Sequence, residues 1–247
     1  MLNLEQLRDP VYRIIRPLTE WLVSGRVHPN ALTTIGFFVT MSSAFAFHQH
    51  HVRTAGFLIL LGGVFDILDG RVARLSGLGS KFGAFYDSTL DRISEIAVYF
   101  GLLSLYNDYR LEVGDVGMIY LIMLAMAGSL MISYTRARAE ALGLDAEVGL
   151  MARAERVVLI GGAALFFGLR WDGLALKVVI FLLAVLTNVT ALQRILWVYR
   201  QGAGVPLSDA GDEPAAGTVD EVPADVDTAT VATGPQASTE KSTRARA

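Results

Sequence analysis

The sequence predicts an all-α integral membrane protein, in which six helices form a transmembrane bundle and one amphipathic helix precedes them. Of the 247 residues, 53% are hydrophobic, a larger share than in most soluble domains. None of the seven prolines lies between residues 30 and 205, so that interval contains no residue that interrupts a helix. At about 20 residues per membrane crossing, this length accommodates about six spans.

Residues 1–28 are predicted to form the amphipathic helix, which lies in the membrane interface. Apolar side chains between Val11 and Leu22 recur at helical spacing, and arginines occupy the opposite side. This pattern is typical of helices on a membrane surface. The alternative, a helix that packs on a soluble domain, needs an apolar partner that the sequence does not offer. Charged residues throughout the segment argue against a secretory signal peptide.

The six spans are predicted within a domain of residues 29–202. Their approximate positions are residues 31–49, 54–75, 82–106, 115–141, 154–170 and 173–199. Most arginines and lysines near the span ends fall on one side of the bundle. The other side carries Arg53, Arg110, Arg170 and Lys177. Because positively charged loops stay in the cytoplasm, the pattern predicts a multi-pass protein of the inner (plasma) membrane with both termini inside.

Residues 203–247 are predicted to form a disordered, acidic cytoplasmic tail. From residue 205 onward, eight acidic residues stand against three basic ones, a balance of −5 in a chain whose net charge is −3. The tail has no apolar periodicity and therefore cannot bury a core. A solvated tail without a specific role and a docking segment are the two alternatives. The chain has no cysteine, which excludes disulfides and thiolate metal sites.

Four aspartates lie within this apolar sequence: Asp66, Asp69, Asp87 and Asp91. An ionised carboxylate is costly in hydrocarbon, so such residues indicate a functional site. The first two are spaced i, i+3 and the last two i, i+4, so each pair shares one face of its helix. Turn-forming residues 76–80 return the second helix beside the first, and the pairs are predicted to face each other. Clustered carboxylate oxygens suit Mg²⁺ or Mn²⁺.

Small and polar residues near the aspartates predict room for a ligand. Gly70, Ala73 and Gly83 lie on the same helix faces and allow a backbone or a ligand to approach closely. Asn30 is predicted to cap the first span, and the positive end of a helix is a natural site for a phosphate or a nucleotide. Capping alone is the commoner reason for such a residue.

The spacing D-x2-D-G-x2-A-R-x8-G-x3-D-x3-D is matched without departure from Asp66 to Asp91. It resembles the signature of the CDP-alcohol phosphotransferase family, integral membrane enzymes of phospholipid synthesis. The resemblance implies transfer of a phosphatidyl group from CDP-diacylglycerol to an alcohol by a metal-dependent single displacement, and a homodimer. All four aspartates are the expected metal ligands, with Asp91 also the general base. The residues expected to contact the CDP-lipid are Asn30, Ala31, Leu32, Thr33, Gly70, Ala73, Arg74 and Ser80.

A second constellation is cationic and consists of Arg136, Arg153, Arg156 and Arg194. Arginines at span ends often serve only as topology signals, but several converging guanidiniums also suit a phosphate dianion. The runs S-Y-x-[KR]-A-R-A-E, R-x-E-R and Q-R resemble the phosphatidylinositol phosphate synthase group and its archaeal counterparts. Arg136 stands where lysine is frequent, and Ala154 where proline is frequent. The expected acceptor is 1L-myo-inositol 1-phosphate, with glycerol 3-phosphate or serine as alternatives.

A different class of protein could also use buried aspartates. An ion-coupled transporter would use them as an ion site, and a membrane scaffold would use them in ion pairs. Neither role requires Gly70, Ala73 and Gly83, and the sequence has no internal repeat typical of a two-part transporter. The expected partners are the CDP-lipid, a small phosphorylated alcohol and membrane lipids, with no nucleic acid. Release of CMP would distinguish the enzyme from the other classes.

Overall fold

The computed structural model describes residues 16–108, 115–146 and 148–203, and within these ranges all regular secondary structure is helical. The helices are α1 (residues 16–24), α2 (Pro29–His48), α3 (Val52–Ser76), α4 (Lys81–Tyr106), α5 (Val116–Glu140), α6 (Arg153–Gly162) and α7 (Arg170–Gly202). The predicted all-α class is confirmed. The first part of the predicted amphipathic helix and the predicted acidic tail lie outside the described residues.

A helix lies at each of the six predicted span positions, and α2, α5 and α7 are long and apolar enough to cross a membrane. The span predicted at 154–170 differs in detail. Helix α6 has 10 residues and continues as a π-helical turn, Ala163–Phe167. Gly168 then has a positive φ of 57°, which glycine adopts readily and which ends the helix. Three further residues with positive φ, at 171–173, precede the regular part of α7.

The start of α2 corrects the prediction that Asn30 is its cap. The N-cap is His28, whose Nδ1 accepts a hydrogen bond from the backbone N–H of Asn30 at 3.2 Å. Pro29 occupies the first helical position, where its fixed φ fits the helix and its missing N–H costs no hydrogen bond. Asn30 is therefore inside the first turn. Its Oδ1 lies 3.1 Å from the position that a Cβ on Gly83 would occupy.

Helices α3 and α4 both pack against α2, and α5 packs against α7. Close approach depends on glycine at two crossings. A Cβ on Gly56 would lie 2.6 Å from the carbonyl oxygen of Gly161, and one on Gly101 would lie 2.7 Å from the Cα of Ala44. Backbones therefore meet without intervening side chains where α3 crosses α6 and where α4 crosses α2.

The turn between α3 and α4 determines how the two acidic helices are arranged. Helix α3 ends at Ser76, and Gly77 follows with a left-handed φ of 68°. Ser80 caps α4, since its Oγ accepts a hydrogen bond from the backbone N–H of Gly83 at 2.9 Å. Helices α3 and α4 both pack on α2, and the pockets between the three helices form the site described next.

Candidate active site

Asp66 and Asp69 on α3 and Asp87 on α4 form a cluster in which one carboxylate oxygen of each residue lies within 4.8 Å of the others. Asp69 is only 4% exposed. Asp69 Oδ2 and Asp87 Oδ1 are buried and have no hydrogen-bond partner among the described residues. Buried carboxylate oxygens without a partner are costly unless another charge compensates them. The three side chains therefore fit a hard divalent cation, which prefers oxygen ligands.

Asp91 lies one turn beyond Asp87, outside this three-carboxylate cluster, and pairs with Arg153. Its Oδ1 forms an ion pair with Arg153 Nη2 at 2.5 Å, and its Oδ2 lies 3.9 Å from Arg92 Nη1. Arg153 Nη1 also lies 3.0 Å from Asp66 Oδ2. One guanidinium from α6 therefore joins a carboxylate of α3 to a carboxylate of α4. The sequence predicts that Arg153 binds the acceptor phosphate and does not predict its contacts with the two aspartates.

A cavity of about 260 Å³, named the polar cavity after the polar side chains in its wall, lies beside the aspartate cluster, between the start of α2, the end of α3 and the start of α4. The expected CDP-lipid contacts that line it are Asn30, Thr33, Gly70, Ala73, Arg74 and Ser80. Asp69 and Asp87 also line this cavity. Ala31 and Leu32 do not: Ala31 is exposed, and Leu32 packs in a small apolar cluster with Leu68.

A second cavity, of about 270 Å³, lies on the other side of the aspartates, between α3, α4 and α6. Its walls are mainly apolar, with residues such as Ile59, Val98 and Ile160. Asp66 and Arg153 also line it. The acidic pocket, which is the space lined by the four aspartates and Arg153, therefore lies between the polar cavity and this second, apolar cavity.

Glu95, whose side chain is 11% exposed, is an acidic residue near the site that the motifs of the sequence do not indicate. Arg156 is 2% exposed, and its Nε and Nη2 donate to the two carboxylate oxygens of Glu95 at 2.7 and 3.2 Å. Ser129 Oγ donates to Glu95 Oε1 at 2.6 Å, so the cluster joins α4, α5 and α6. Helical periodicity could have identified Glu95, since it follows Asp91 by four residues and therefore shares its face.

The other two arginines of the predicted acceptor site bind elsewhere. Arg194 Nε donates to the carbonyl oxygen of Val148 at 2.8 Å, and Nη1 donates to that of Ile132 at 2.7 Å. Arg136 Nε pairs with Glu140 at 2.7 Å. Of the four predicted arginines, Arg153 and Arg156 line the cavities that border the aspartates.

These features define a class: a helical, membrane-associated enzyme with an acidic metal-binding site beside a ligand cavity. Residues 26–199 match the family model for CDP-alcohol phosphatidyltransferase, and the chain belongs to that family. The archaetidylinositol phosphate synthase of Pyrococcus horikoshii is 35% identical over 193 residues, which cover 78% of this chain and 94% of the relative. The phosphatidylinositol phosphate synthase of Mycobacteroides abscessus is 34% identical over 216 residues, covering 84% and 95%.

Solved structures give the same result at the level of the fold. A crystal structure of Mycobacterium tuberculosis phosphatidylinositol phosphate synthase with CDP-DAG bound matches with a TM-score of 0.68 and 32% identity, covering 76% of this chain and 94% of that one. A structure of the same mycobacterial protein in complex with manganese and citrate matches with a TM-score of 0.67 and 31% identity, covering 74% and 88%.

Proposed function

We propose that this enzyme transfers the phosphatidyl group of CDP-diacylglycerol to 1L-myo-inositol 1-phosphate, giving phosphatidylinositol phosphate and CMP. The observation that carries the proposal is the three-aspartate cluster at the border of a cavity lined by six of the expected CDP-lipid contacts. The names of the relatives support the acceptor, and the mycobacterial structure with CDP-DAG supports the donor. Glycerol 3-phosphate and serine are the alternative acceptors.

We also propose that all six helices from α2 to α7 cross the inner membrane and that the aspartates face the cytoplasm. Large apolar side chains such as Phe38, Phe100 and Phe181 are more than half exposed, as expected for surfaces in contact with lipid. CMP and the acceptor are both water-soluble, which favours a site at the cytoplasmic boundary. Residues 29–202 would form the catalytic domain of a homodimer, with an interfacial helix before it and an acidic tail after it.

The polar cavity is the proposed site of the CDP group. Arg74 supplies a guanidinium for the diphosphate, and Gly70 and Gly83 leave room beside it because they have no side chains. Asp66, Asp69 and Asp87 would hold Mg²⁺ or Mn²⁺, with Asp91 as a further ligand at the edge of the cluster. When bound, the cation would neutralise the diphosphate and stabilise CMP as the leaving group.

The proposed reaction is one displacement at phosphorus. The acceptor hydroxyl attacks the phosphorus that carries diacylglycerol, the bond from that phosphorus to the CMP oxygen breaks, and a phosphodiester forms. Asp91 accepts the proton of the attacking hydroxyl, and Arg153 holds the Asp91 carboxylate in place. The main proposed contact of the acceptor phosphate is Arg153, which lies at the border of the acidic pocket. The further proposed contacts of the acceptor phosphate are Arg136, Arg156 and Arg194.

The experiment for the general base is the substitution Asp91→Asn. We expect loss of turnover with Mg²⁺-dependent CDP-lipid binding largely retained, because asparagine keeps the shape of the side chain but cannot accept the proton. Purified protein would be incubated with CDP-diacylglycerol, Mg²⁺ and the acceptor, and CMP and lipid binding would be measured separately. Near-normal turnover would remove Asp91 from this role.

The same assay with a panel of acceptors tests the substrate. Inositol 1-phosphate should give CMP and a phosphoinositol lipid. Activity only with glycerol 3-phosphate or serine would refute the acceptor and leave the family reaction intact. A transporter would release no CMP with any acceptor.

A further inference from the structure

Arg153 contacts two carboxylates that the proposed reaction assigns to different tasks. Its Nη1 lies 3.0 Å from Asp66 Oδ2, and its Nη2 lies 2.5 Å from Asp91 Oδ1. In the three-carboxylate cluster, Asp66 is the member with a cationic partner at this distance among the described residues. The buried oxygens of Asp69 and Asp87 have no hydrogen-bond partner there. The positive charge of Arg153 therefore lies at one edge of the cation site, next to Asp66.

We propose that Arg153 is an exchangeable counter-ion: it binds Asp66 until a divalent cation enters, and it then binds the acceptor phosphate. The inference rests on the proposed function and deepens it, because it names the residue that couples cation binding to acceptor binding. In this scheme the cation binds before the acceptor.

The coupling follows from electrostatics. A divalent cation bound by Asp66 would lie close to the Arg153 guanidinium in a partly buried pocket, where like charges repel strongly. Cation binding must therefore weaken the contact between Arg153 and Asp66. Coupling between two binding events is reciprocal, so Arg153 must in turn weaken cation binding.

The released guanidinium has a new partner within reach. Arg153 lines both the acidic pocket and the apolar cavity, and its Nε is buried without a hydrogen-bond partner among the described residues. Its contact with Asp91 can remain while Nη1 and Nε turn to the acceptor phosphate, since a guanidinium has five N–H donors. The pair of Arg156 with Glu95 fixes α6 nearby, so the exchange requires movement of one side chain only.

The test is the Mn²⁺ affinity of the full-length protein in detergent without substrates, measured by electron paramagnetic resonance. Arg153→Gln should bind Mn²⁺ about tenfold more tightly than the wild type, a typical size for such coupling. The same variant should show a KM for the acceptor raised about tenfold, with little change in the KM for the CDP-lipid. A structural defect alone would not tighten cation binding.

Arg92→Gln is the matched control. Arg92 also lies near Asp91, at 3.9 Å, but makes no contact with Asp66, so its removal tests the general effect of losing one positive charge. We expect a change in Mn²⁺ affinity below about twofold, because its side chain is 35% exposed and the charge is screened by solvent. Equal tightening in both variants would overturn the proposal.

Two further outcomes keep the inference separate from the proposed function. Unchanged or weaker Mn²⁺ binding by Arg153→Gln overturns the counter-ion, even if the wild type releases CMP normally. Absence of CMP release by the wild type with every acceptor overturns the function. If Arg153→Gln does not fold, Arg153→Met provides the test: methionine keeps a long, unbranched side chain but removes the positive charge beside Asp66, so Mn²⁺ should again bind more tightly than in the wild type.

Discussion

Arg153 and Arg156 lie three residues apart on α6, yet their surroundings differ. The side chain of Arg153 is 25% exposed and contacts two carboxylates at the edge of a pocket. The side chain of Arg156 is 2% exposed and is paired with Glu95, which also accepts a hydrogen bond from Ser129. The comparison teaches that the same residue type can be shared between two carboxylates at a partly exposed position and held in a single ion pair at a buried position one turn away.

The physical basis of the difference is desolvation. A buried ion pair that loses one partner leaves an uncompensated charge in a medium of low dielectric constant, which is strongly unfavourable. Glu95 and Arg156 satisfy each other through two hydrogen bonds and therefore have little reason to separate. Arg153 instead contacts carboxylates beside oxygens that still lack partners, so a cation that satisfies those oxygens can replace it.

The largest effect is expected from Asp87→Asn, which changes the aspartate cluster beside Arg153. The substitution removes one carboxylate from the cation site and should lower CMP release about a thousandfold, since a metal ion supplies several kcal/mol of transition-state stabilisation. The protein should remain folded, because the variant replaces a buried carboxylate oxygen without a hydrogen-bond partner by a neutral amide. CMP release and thermal unfolding would be measured on the same preparation. Retention of a tenth of the wild-type activity would contradict the assignment of Asp87.

The second effect concerns stability and should separate the two arginine clusters. Glu95→Gln leaves Arg156 as a buried, uncompensated charge and should lower the free energy of unfolding by about 3 kcal/mol or more. The Arg153 side chain is 25% exposed and Asp91 keeps Arg92 nearby, so Arg153→Gln should lower the free energy of unfolding by less than Glu95→Gln does. Denaturation in detergent checks both expectations.

A double variant sharpens this prediction. Glu95→Gln combined with Arg156→Met removes both charges and should recover part of the loss, which a double-mutant cycle would measure as a coupling between the two sites. A larger loss of stability for Arg153→Gln than for Glu95→Gln would reverse the comparison.

Helical periodicity predicted much of the arrangement around the aspartates. Residues at i, i+3 and i+4 share a face, and Gly77 and Ser80 supply the turn that places α4 across from α3. Periodicity does not determine which partner an arginine takes, because that choice depends on helices distant in sequence. The sequence therefore did not indicate that Arg156 pairs with Glu95. Glu95 follows Asp91 by four residues, the same spacing that separates Asp91 from Asp87.

Local competition explains why the predicted cap at Asn30 is wrong. Asn30 and His28 are both able to cap a helix, and Pro29 decides between them because it favours the first helical position. This choice also sets which side chains face the cavity. Thr33 and Asn30 line it, whereas Leu32 lies on another face and packs in the core.

Within the Glu95 cluster, a smaller effect than that of Glu95→Gln is expected from Ser129→Ala, which removes one hydrogen bond from Glu95 and leaves its pair with Arg156 intact. The free energy of unfolding should fall by about 1.5 kcal/mol, the value for a hydrogen bond to a charged group, with normal CMP release. Glu20→Gln is the control: Glu20 pairs with Arg16 where both side chains are more than half exposed, and its loss should be undetectable. A loss for Ser129→Ala as large as that for Glu95→Gln would mean that the hydroxyl, rather than the ion pair, holds α4, α5 and α6 together, and the distinction between the two arginines would then need another cause.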